Sequence, residues 1–150
     1  MDALQSLRSS RDEKHLKALL QSIPYAQFLH IDAELRGDEL TMILRYHDAL
    51  VGNIMLPAIH GGAIGAFLET AMMIHLAWVS DTDHLPRPID INIDYLRSGR
   101  ALDTYARGTV TKHGRRVANV RVEAWQEHRD KPIAAAHGHF RMKDEQGDTV

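Results

Sequence analysis

Residues 63–79 read AIGAFLETAMMIHLAWV, an apolar stretch that only Glu69, Thr70 and His75 interrupt. A bilayer span needs about 20 apolar residues, and a carboxylate at its centre would be costly. We therefore interpret the stretch as a buried helix that begins after His60-Gly61-Gly62 and ends near residue 80. A helix that is apolar nearly all round must be covered on most sides. This segment thus predicts the centre of the fold.

Most of the remaining chain alternates apolar and polar side chains with a period of two. We predict strands at residues 39–46, 89–95, 102–112, 117–127 and 133–143. In the last three, the even positions are mostly Ala, Gly and Val, and the odd positions are polar, as at Arg107, Glu123 and Arg141. The two sets lie on opposite faces of a sheet. The even face therefore leaves room for the helix to approach closely.

This order of elements is typical of an α+β domain, with an antiparallel sheet of about five strands wrapped around one long helix. Ser10 and Glu13 fit a capping box at the start of an N-terminal helix that Pro24 ends. We expect a single domain over residues 1–150, with its core at about 23–142 and a disordered tail after Asp144. One sheet cannot surround the long helix, so a homodimer is expected.

The composition excludes several classes of function. The net charge of −2 and the 44% hydrophobic content are ordinary for a globular protein, so neither nucleic acid nor a membrane is expected as a partner. The absence of cysteine excludes disulfides, thiolate metal sites and a cysteine nucleophile. The N-terminus does not resemble a signal peptide, which favours a cytoplasmic location. His137 and His139 share a strand face without an obvious third ligand, so neither a metal nor a cofactor is expected.

Glu69 is the polar group that stands out in the long helix. Its helical neighbours are Gly65, Ala66, Met72 and Met73. A carboxylate among apolar groups is costly unless it is hydrogen-bonded or its pKa is raised. This favours a chemical role, although Glu69 could instead face solvent on an exposed strip. His75 does not share the face of Glu69, and we expect it to be a satisfied histidine at a subunit interface.

His60-Gly61-Gly62 begins the same helix. The first amides of a helix have no intrahelical acceptor, and they can polarise a carbonyl or hold an oxyanion. The alternative is an ordinary glycine-rich start of a helix. Glu69 follows Gly61 by eight residues, or ~12 Å along the axis. One protomer's Glu69 cannot easily serve its own Gly61, whereas two antiparallel helices across a dimer interface would bring the two groups together.

The segment from His60 to Ala71, HGGAIGAFLETA, resembles the signature of hotdog-fold acyl-CoA thioesterases of the phenylacetic-acid-degradation type. Glu69 as the carboxylate is similar to the Arthrobacter-type 4-hydroxybenzoyl-CoA thioesterases. The match covers residues 23–142 and includes IDINIDYLR at 89–97. The resemblance implies a hotdog fold, hydrolysis of an acyl-CoA to a free acid and CoA, and a homodimer or a dimer of dimers. CoA is then part of the substrate, and the acyl group is aryl or medium-chain.

The resemblance also implies roles for individual residues. The Gly61 amide would polarise the thioester carbonyl, and Glu69 of the facing subunit would be general base or nucleophile. An Asn or Gln often lies six residues before the histidine; Ile54 is there in this chain, and Asn53 is one residue earlier. The expected catalytic residues are Glu69, Gly61, Asn53 and His60, and the expected substrate-binding residues are Gly62, Arg97, Arg115 and Arg116.

Two other functions remain open at this point. A hotdog domain can be a non-catalytic module that binds acyl-CoA or lipid, since the fold alone does not determine activity. A hotdog dehydratase or hydratase carries a histidine and an acidic partner in another arrangement, which this sequence does not contain.

Overall fold

The computed structural model describes residues 1–143, which form an α+β hotdog fold. The tail predicted to be disordered after Asp144 lies outside the described residues. The helices are α1 (Ala3–Ser9), α2 (Glu13–Gln21), α3 (Pro24–Phe28) and α4 (Gly61–Val79). The strands are β1 (Ile31–Arg36), β2 (Glu39–Leu44), β3 (Val51–Asn53), β4 (Ala58–Ile59), β5 (Arg87–Tyr95), β6 (Thr104–His113), β7 (Val117–Trp125) and β8 (Ala134–Arg141).

The long apolar helix predicted from the sequence is α4, and it lies at the centre of the fold. Phe67, Leu68, Met72 and Ile74 on α4 are fully buried. By length and hydropathy α4 could span a membrane, yet 61% of its apolar window is buried inside the protein. The helix ends at Ser80, whose extended backbone begins the loop to β5.

The main sheet has six antiparallel strands in the order β1-β2-β6-β7-β8-β5. The prediction that the even positions of the last strands face the helix is confirmed, since Ala106, Val120, Ala124 and Ala136 are all buried. These short side chains let the sheet curve closely around α4. Odd positions such as Glu123 are exposed on the outer face.

The prediction of about five strands misses β1. Its side chains do alternate, with Ile31 and Ala33 buried and Asp32 and Glu34 only partly covered. Gly37 adopts φ +61°, which favours glycine, and the turn there pairs β1 with β2. The same period of two as in the later strands runs through this segment, so its sequence alone indicates a strand. A second ribbon, β3 with β4, also forms within the predicted loop before α4.

The capping box predicted from Ser10 and Glu13 is wrong. Asp12 caps α2, and its carboxylate accepts a hydrogen bond from the His15 backbone N–H at 2.9 Å. Ser10 instead ends α1, an additional helix. A carboxylate directly before Glu13 is an equally good cap and lies three residues from the amide that it accepts, which is the usual spacing.

The two edges of the sheet differ in their cover. At the β1 edge, the Glu13 carboxylate of α2 accepts a hydrogen bond from the Leu35 backbone N–H at 2.9 Å. At the other edge, β5 pairs only with β8 among residues 1–143. Ile89 and Tyr95 on β5 are 56% and 54% exposed. A long edge strand with exposed apolar side chains is a template for pairing with another chain.

The sheet also splits between β2 and β6. These strands pair only from Met42 to Leu44 of β2, although both continue further. His75 of α4 fills the split: its Nε2 accepts a hydrogen bond from the Gly108 N–H at 3.1 Å, and its Nδ1 donates to the Ala71 carbonyl at 2.6 Å. His75 is therefore satisfied, as predicted, but inside the protomer and not at an interface. Burial lowers its pKa below the ordinary histidine value.

Candidate functional site

The start of α4 leaves one glycine amide without a partner. His60 is the N-cap, and its Nδ1 accepts a hydrogen bond from the Gly62 N–H at 2.8 Å. Gly61 is the first residue of the helix, so its amide has no intrahelical acceptor. Among residues 1–143 no other group accepts from it. The two predicted glycines therefore differ: the Gly62 amide is bonded within the helix cap, and the Gly61 amide is available to a ligand.

Two neighbouring elements hold this helix start in place. The Tyr95 hydroxyl at the end of β5 donates to the Gly61 carbonyl at 2.7 Å. On the other side, Gly52 of β3 packs on His60, and a Cβ at Gly52 would lie 2.8 Å from the His60 Cα. Only glycine permits this approach. The peptide between Gly61 and Gly62 is thus bonded at both its carbonyl and its N–H.

Gly61 lines an open cavity of about 370 Å³. Ile59, Ile64, Tyr95 and Leu96 give it apolar walls, and Arg97 lies at its side. Arg97 donates to the Pro132 carbonyl at 2.8 Å, which orients its guanidinium. The structure therefore brings together two of the predicted residues, Gly61 and Arg97, in one protomer. An amide donor beside apolar walls and a cation suits an acyl group joined to an anionic carrier.

Glu69 lies on an exposed stripe of α4. In the single protomer the Glu69 side chain is exposed to solvent, which is the second of the two interpretations given above. It has no hydrogen bond or ion pair with any of residues 1–143. The other members of the stripe are small or flexible, and all are at least partly exposed: Gly62, Gly65, Ala66 and Met73. Such a stripe on a helix that is largely buried is a surface available to another molecule.

Asn53 lies at the end of β3, on the hairpin that leads to α4. It is exposed, and its side-chain oxygen accepts a hydrogen bond from the Met55 backbone N–H at 3.0 Å. The hairpin tip carries Ile54 and Met55, which are 86% and 91% exposed. In the protomer Asn53 therefore supports the tip and does not line the Gly61 cavity.

Arg115 and Arg116 lie at the turn between β6 and β7. Arg115 lines a separate cavity of about 440 Å³ with Ser80 and His113, at the C-terminal end of α4. Gly61 is at the opposite end of that helix. Within one protomer these two arginines are not gathered with Gly61 and Arg97.

The histidine pair on the outer face of β8 makes a local contact. His139 Nδ1 is 2.7 Å from the Asp90 carboxylate, and this hydrogen bond lowers the pKa of Asp90. His137 faces the same way but is exposed. Over residues 1–143, His, Asp and Glu side chains do not gather in threes as a metal site requires.

Tyr95 and Leu96 are residues of this site that sequence reasoning missed. Tyr95 continues the alternation of Ile91 and Ile93, so the pattern predicts its strand and its face. Nothing local indicates that its hydroxyl meets Gly61, which is 34 residues earlier in the chain. The signal that was available is the position of both residues at the end of a strand, directly before Arg97.

Comparison with known proteins identifies the family. The family model of the thioesterase superfamily matches residues 56–133, which include the whole of α4 and the strands β4, β5, β6 and β7. No curated protein matches the chain at a significant level.

Solved structures share the fold. A Chromobacterium violaceum protein is 35% identical over 96% of this chain and 98% of its own, with a TM-score of 0.75. A thioesterase-like, phenylacetic acid degradation-related protein from Ralstonia eutropha is 21% identical over 84% of this chain and 98% of its own, with a TM-score of 0.71. A Bacillus halodurans protein solved with CoA is 20% identical over 97% of this chain and 89% of its own, with a TM-score of 0.68. Because the family model matches more than half of the chain, including the apolar central helix and three strands of its sheet, the chain is a member of the thioesterase superfamily.

Proposed function

We propose that the protein hydrolyses an acyl-CoA thioester at two composite sites of a homodimer. Each site would combine the Gly61 amide of one protomer with Glu69 of the other. Membership of the thioesterase superfamily supports a thioesterase-type activity in general. The observation that carries the proposal is the unpartnered Gly61 amide in an apolar cavity, on the same helix as an exposed and unpaired carboxylate.

The arrangement of α4 supports a composite site. Gly65 is halfway between Gly61 and Glu69 in the sequence. If two α4 helices pair antiparallel about a two-fold axis beside Gly65, Gly61 of one faces Glu69 of the other. Such an axis makes both sites equivalent. Gly65 and Ala66 at the crossing point are small, so the two helices can approach closely.

The uncovered edge of the sheet lies on the same side of the protomer. A Cβ at Gly65 would lie 3.0 Å from the Ile93 Cδ1 and 3.3 Å from the Tyr95 hydroxyl, so the helix crosses directly over β5. One two-fold axis can therefore pair both the β5 edges and the α4 stripes. This contact would cover the exposed apolar side chains of β5 and the strip that contains Glu69. A further pairing of two such dimers is compatible with this arrangement.

The proposed reaction uses these groups in order. The Gly61 amide donates to the thioester oxygen and stabilises the negative charge that develops there. As a general base, Glu69 takes a proton from water, the hydroxide attacks the carbonyl carbon, and CoA leaves as a thiolate that is then protonated. As a nucleophile, Glu69 itself attacks and expels CoA, and water hydrolyses the resulting anhydride. Both routes give one carboxylic acid and one CoA.

The site also supports a class of substrate. The walls formed by Ile64, Tyr95 and Leu96 suit an aryl or medium-chain acyl group, and Arg97 beside them would bind a phosphate of CoA. The Bacillus halodurans protein of the same fold contains CoA, which supports CoA as the carrier. The Ralstonia eutropha protein with the same fold is related to phenylacetic acid degradation. Phenylacetyl-CoA is therefore the first substrate to test.

The direct test is acyl-CoA hydrolysis by Glu69→Gln and Glu69→Ala, followed with a thiol reagent on a panel of aryl and medium-chain thioesters. We expect kcat to fall by about 10²–10⁴, the usual contribution of a positioned base. Glu34→Gln is the matched control, because Glu34 is on β1 at the opposite edge of the sheet. Turnover that survives both Glu69 changes in a folded protein would refute its role. Saturable binding of acyl-CoA without release of CoA by the wild type would instead indicate a non-catalytic binding module.

A further inference from the structure

The split between β2 and β6 opens into a cavity of about 880 Å³. This volume is more than twice the 370 Å³ of the cavity at Gly61. It lies beside His75 and Trp78, about 21 Å from Gly61 along the axis of α4 at 1.5 Å per residue. It is therefore separate from the proposed thioesterase site, and its size is within the range of small-molecule pockets.

The cavity exists because the strands do not close. Where β2 leaves β6, the Gly108 N–H lacks a strand partner, and His75 accepts from it instead. Gly108 has no side chain to fill the space, and a Cβ there would lie 3.1 Å from the His75 ring. The polar groups at the floor are thus satisfied, and the opening costs no buried hydrogen bond.

The walls combine aromatic rings with cations. Trp78 of α4 and Trp125 of β7 both line the cavity. The guanidiniums of Arg107 and Arg129 lie 5.6 Å and 5.2 Å from the centre of the Trp125 ring, and both arginines are held by the single carboxylate of Glu39. Arginines that are ordered in this way lose little entropy when they bind a carboxylate.

The lining leaves one arginine available to an anion. Its four arginines are Arg11, Arg107, Arg121 and Arg129, and they face three acidic side chains. Arg11 is engaged by Asp81. Arg121 has no ion pair with any of residues 1–143, so its guanidinium is available to a ligand.

We propose that this cavity binds a small organic carboxylate with an apolar body. The ligand carboxylate would bind the guanidinium of Arg121 and the nearby guanidiniums of Arg107 and Arg129. The apolar body of the ligand would lie against Trp78 and Trp125. Charge-assisted hydrogen bonds to guanidinium and burial against tryptophan supply the affinity. The inference does not rest on the proposed function, because no residue of the thioesterase site takes part.

Tryptophan emission tests it directly, since the chain contains two tryptophans and both line the cavity. Octanoate is titrated into the whole protein, with octylamine as a probe of equal length and opposite charge. We expect a saturable change in emission with octanoate and none of comparable affinity with octylamine. Trp78→Phe and Trp125→Phe should each remove part of the change.

Two variants and one competitor locate the binding. Arg121→Gln should weaken octanoate binding at least fivefold. The control Arg100→Gln removes an exposed arginine that pairs with Glu127 outside the lining, and it should leave the affinity unchanged. Saturating CoA should not displace octanoate. The proposal is overturned by a non-saturable response, by equal affinity for octylamine, by unchanged affinity in Arg121→Gln, or by displacement with CoA. None of these results depends on whether the protein hydrolyses acyl-CoA.

Discussion

Replacing Gly61 with proline would remove the amide proton on which the proposed site depends. A backbone N–H is normally beyond the reach of mutagenesis, but here the local geometry accepts proline. Gly61 is the first residue of α4, where proline is favoured because its missing N–H has no intrahelical acceptor in any case. His60 has ψ 132°, within the range that a residue before proline prefers.

The expected size of the effect follows from the same geometry. A Cβ at position 61 would lie 3.4 Å from Tyr95 Cε1, an ordinary contact, so a side-chain carbon at this position is accommodated. The fold should therefore keep its stability, or gain up to ~1 kcal/mol from the stiffer unfolded chain. Loss of one oxyanion donor costs a factor of about 10²–10³ in kcat, or about 2.7–4 kcal/mol.

The assay is hydrolysis of the best acyl-CoA by wild type, Gly61→Pro and Gly61→Ala, with thermal unfolding of each. Gly61→Ala is the matched control, because it adds a Cβ at the same place and keeps the N–H. We expect Gly61→Ala to remain within about tenfold of wild type, well above the proline variant. A Gly61→Pro protein that is folded and hydrolyses the substrate at the wild-type rate would refute the role of this amide.

Three further results are expected. In the first, Glu69→Gln and Gly61→Pro protomers are mixed in equal amounts, unfolded and refolded together. Turnover should recover to about a quarter of the wild-type value, because half of the dimers are mixed and each mixed dimer has one intact composite site. No recovery would place both groups in one protomer. Ala66→Trp should give a folded monomer without activity, because a bulky side chain at the crossing of two α4 helices prevents their approach; light scattering measures the mass, and an active dimer would contradict the proposed axis. Burial lowers the pKa of folded His75 below 6.5, so the unfolded chain takes up a proton first. The free energy of unfolding should then fall as the pH drops below 6.5, by up to ~1.4 kcal/mol per pH unit. Urea unfolding at fixed protein concentration measures this dependence of the free energy of unfolding on pH. His75→Leu should lose the dependence, and the exposed control His128→Leu should keep it. Equal dependence in the two variants would exclude His75 as the cause.

The patterns that predicted the fold are local ones. A long apolar segment with a carboxylate near its centre predicts a buried central helix, and the period of two in the last strands assigns Ala118 and Val122 to the face that packs on it. β1 has the same alternation, with Asp32 and Glu34 between apolar residues, and the prediction of about five strands overlooked it. Its pairing with β2 depends on the turn at Gly37. Caps are equally ambiguous, since Ser10 and Asp12 are both good N-cap residues and only the path of α1 selects between them.

The sequence by itself determined which residues are candidates for the proposed chemistry: the glycine amides at the start of α4, and the carboxylate at Glu69. Only the tertiary structure decided which amide is free, because His60 takes that of Gly62 and Tyr95 holds the Gly61 carbonyl. It also decided that β2 leaves β6 and that His75 fills the gap. The physical reason is the separation along the sequence of the residues that interact. Periodicity and helix position depend on neighbours a few residues apart, whereas hydrogen bonds and cavities join residues that only the folded chain brings into contact.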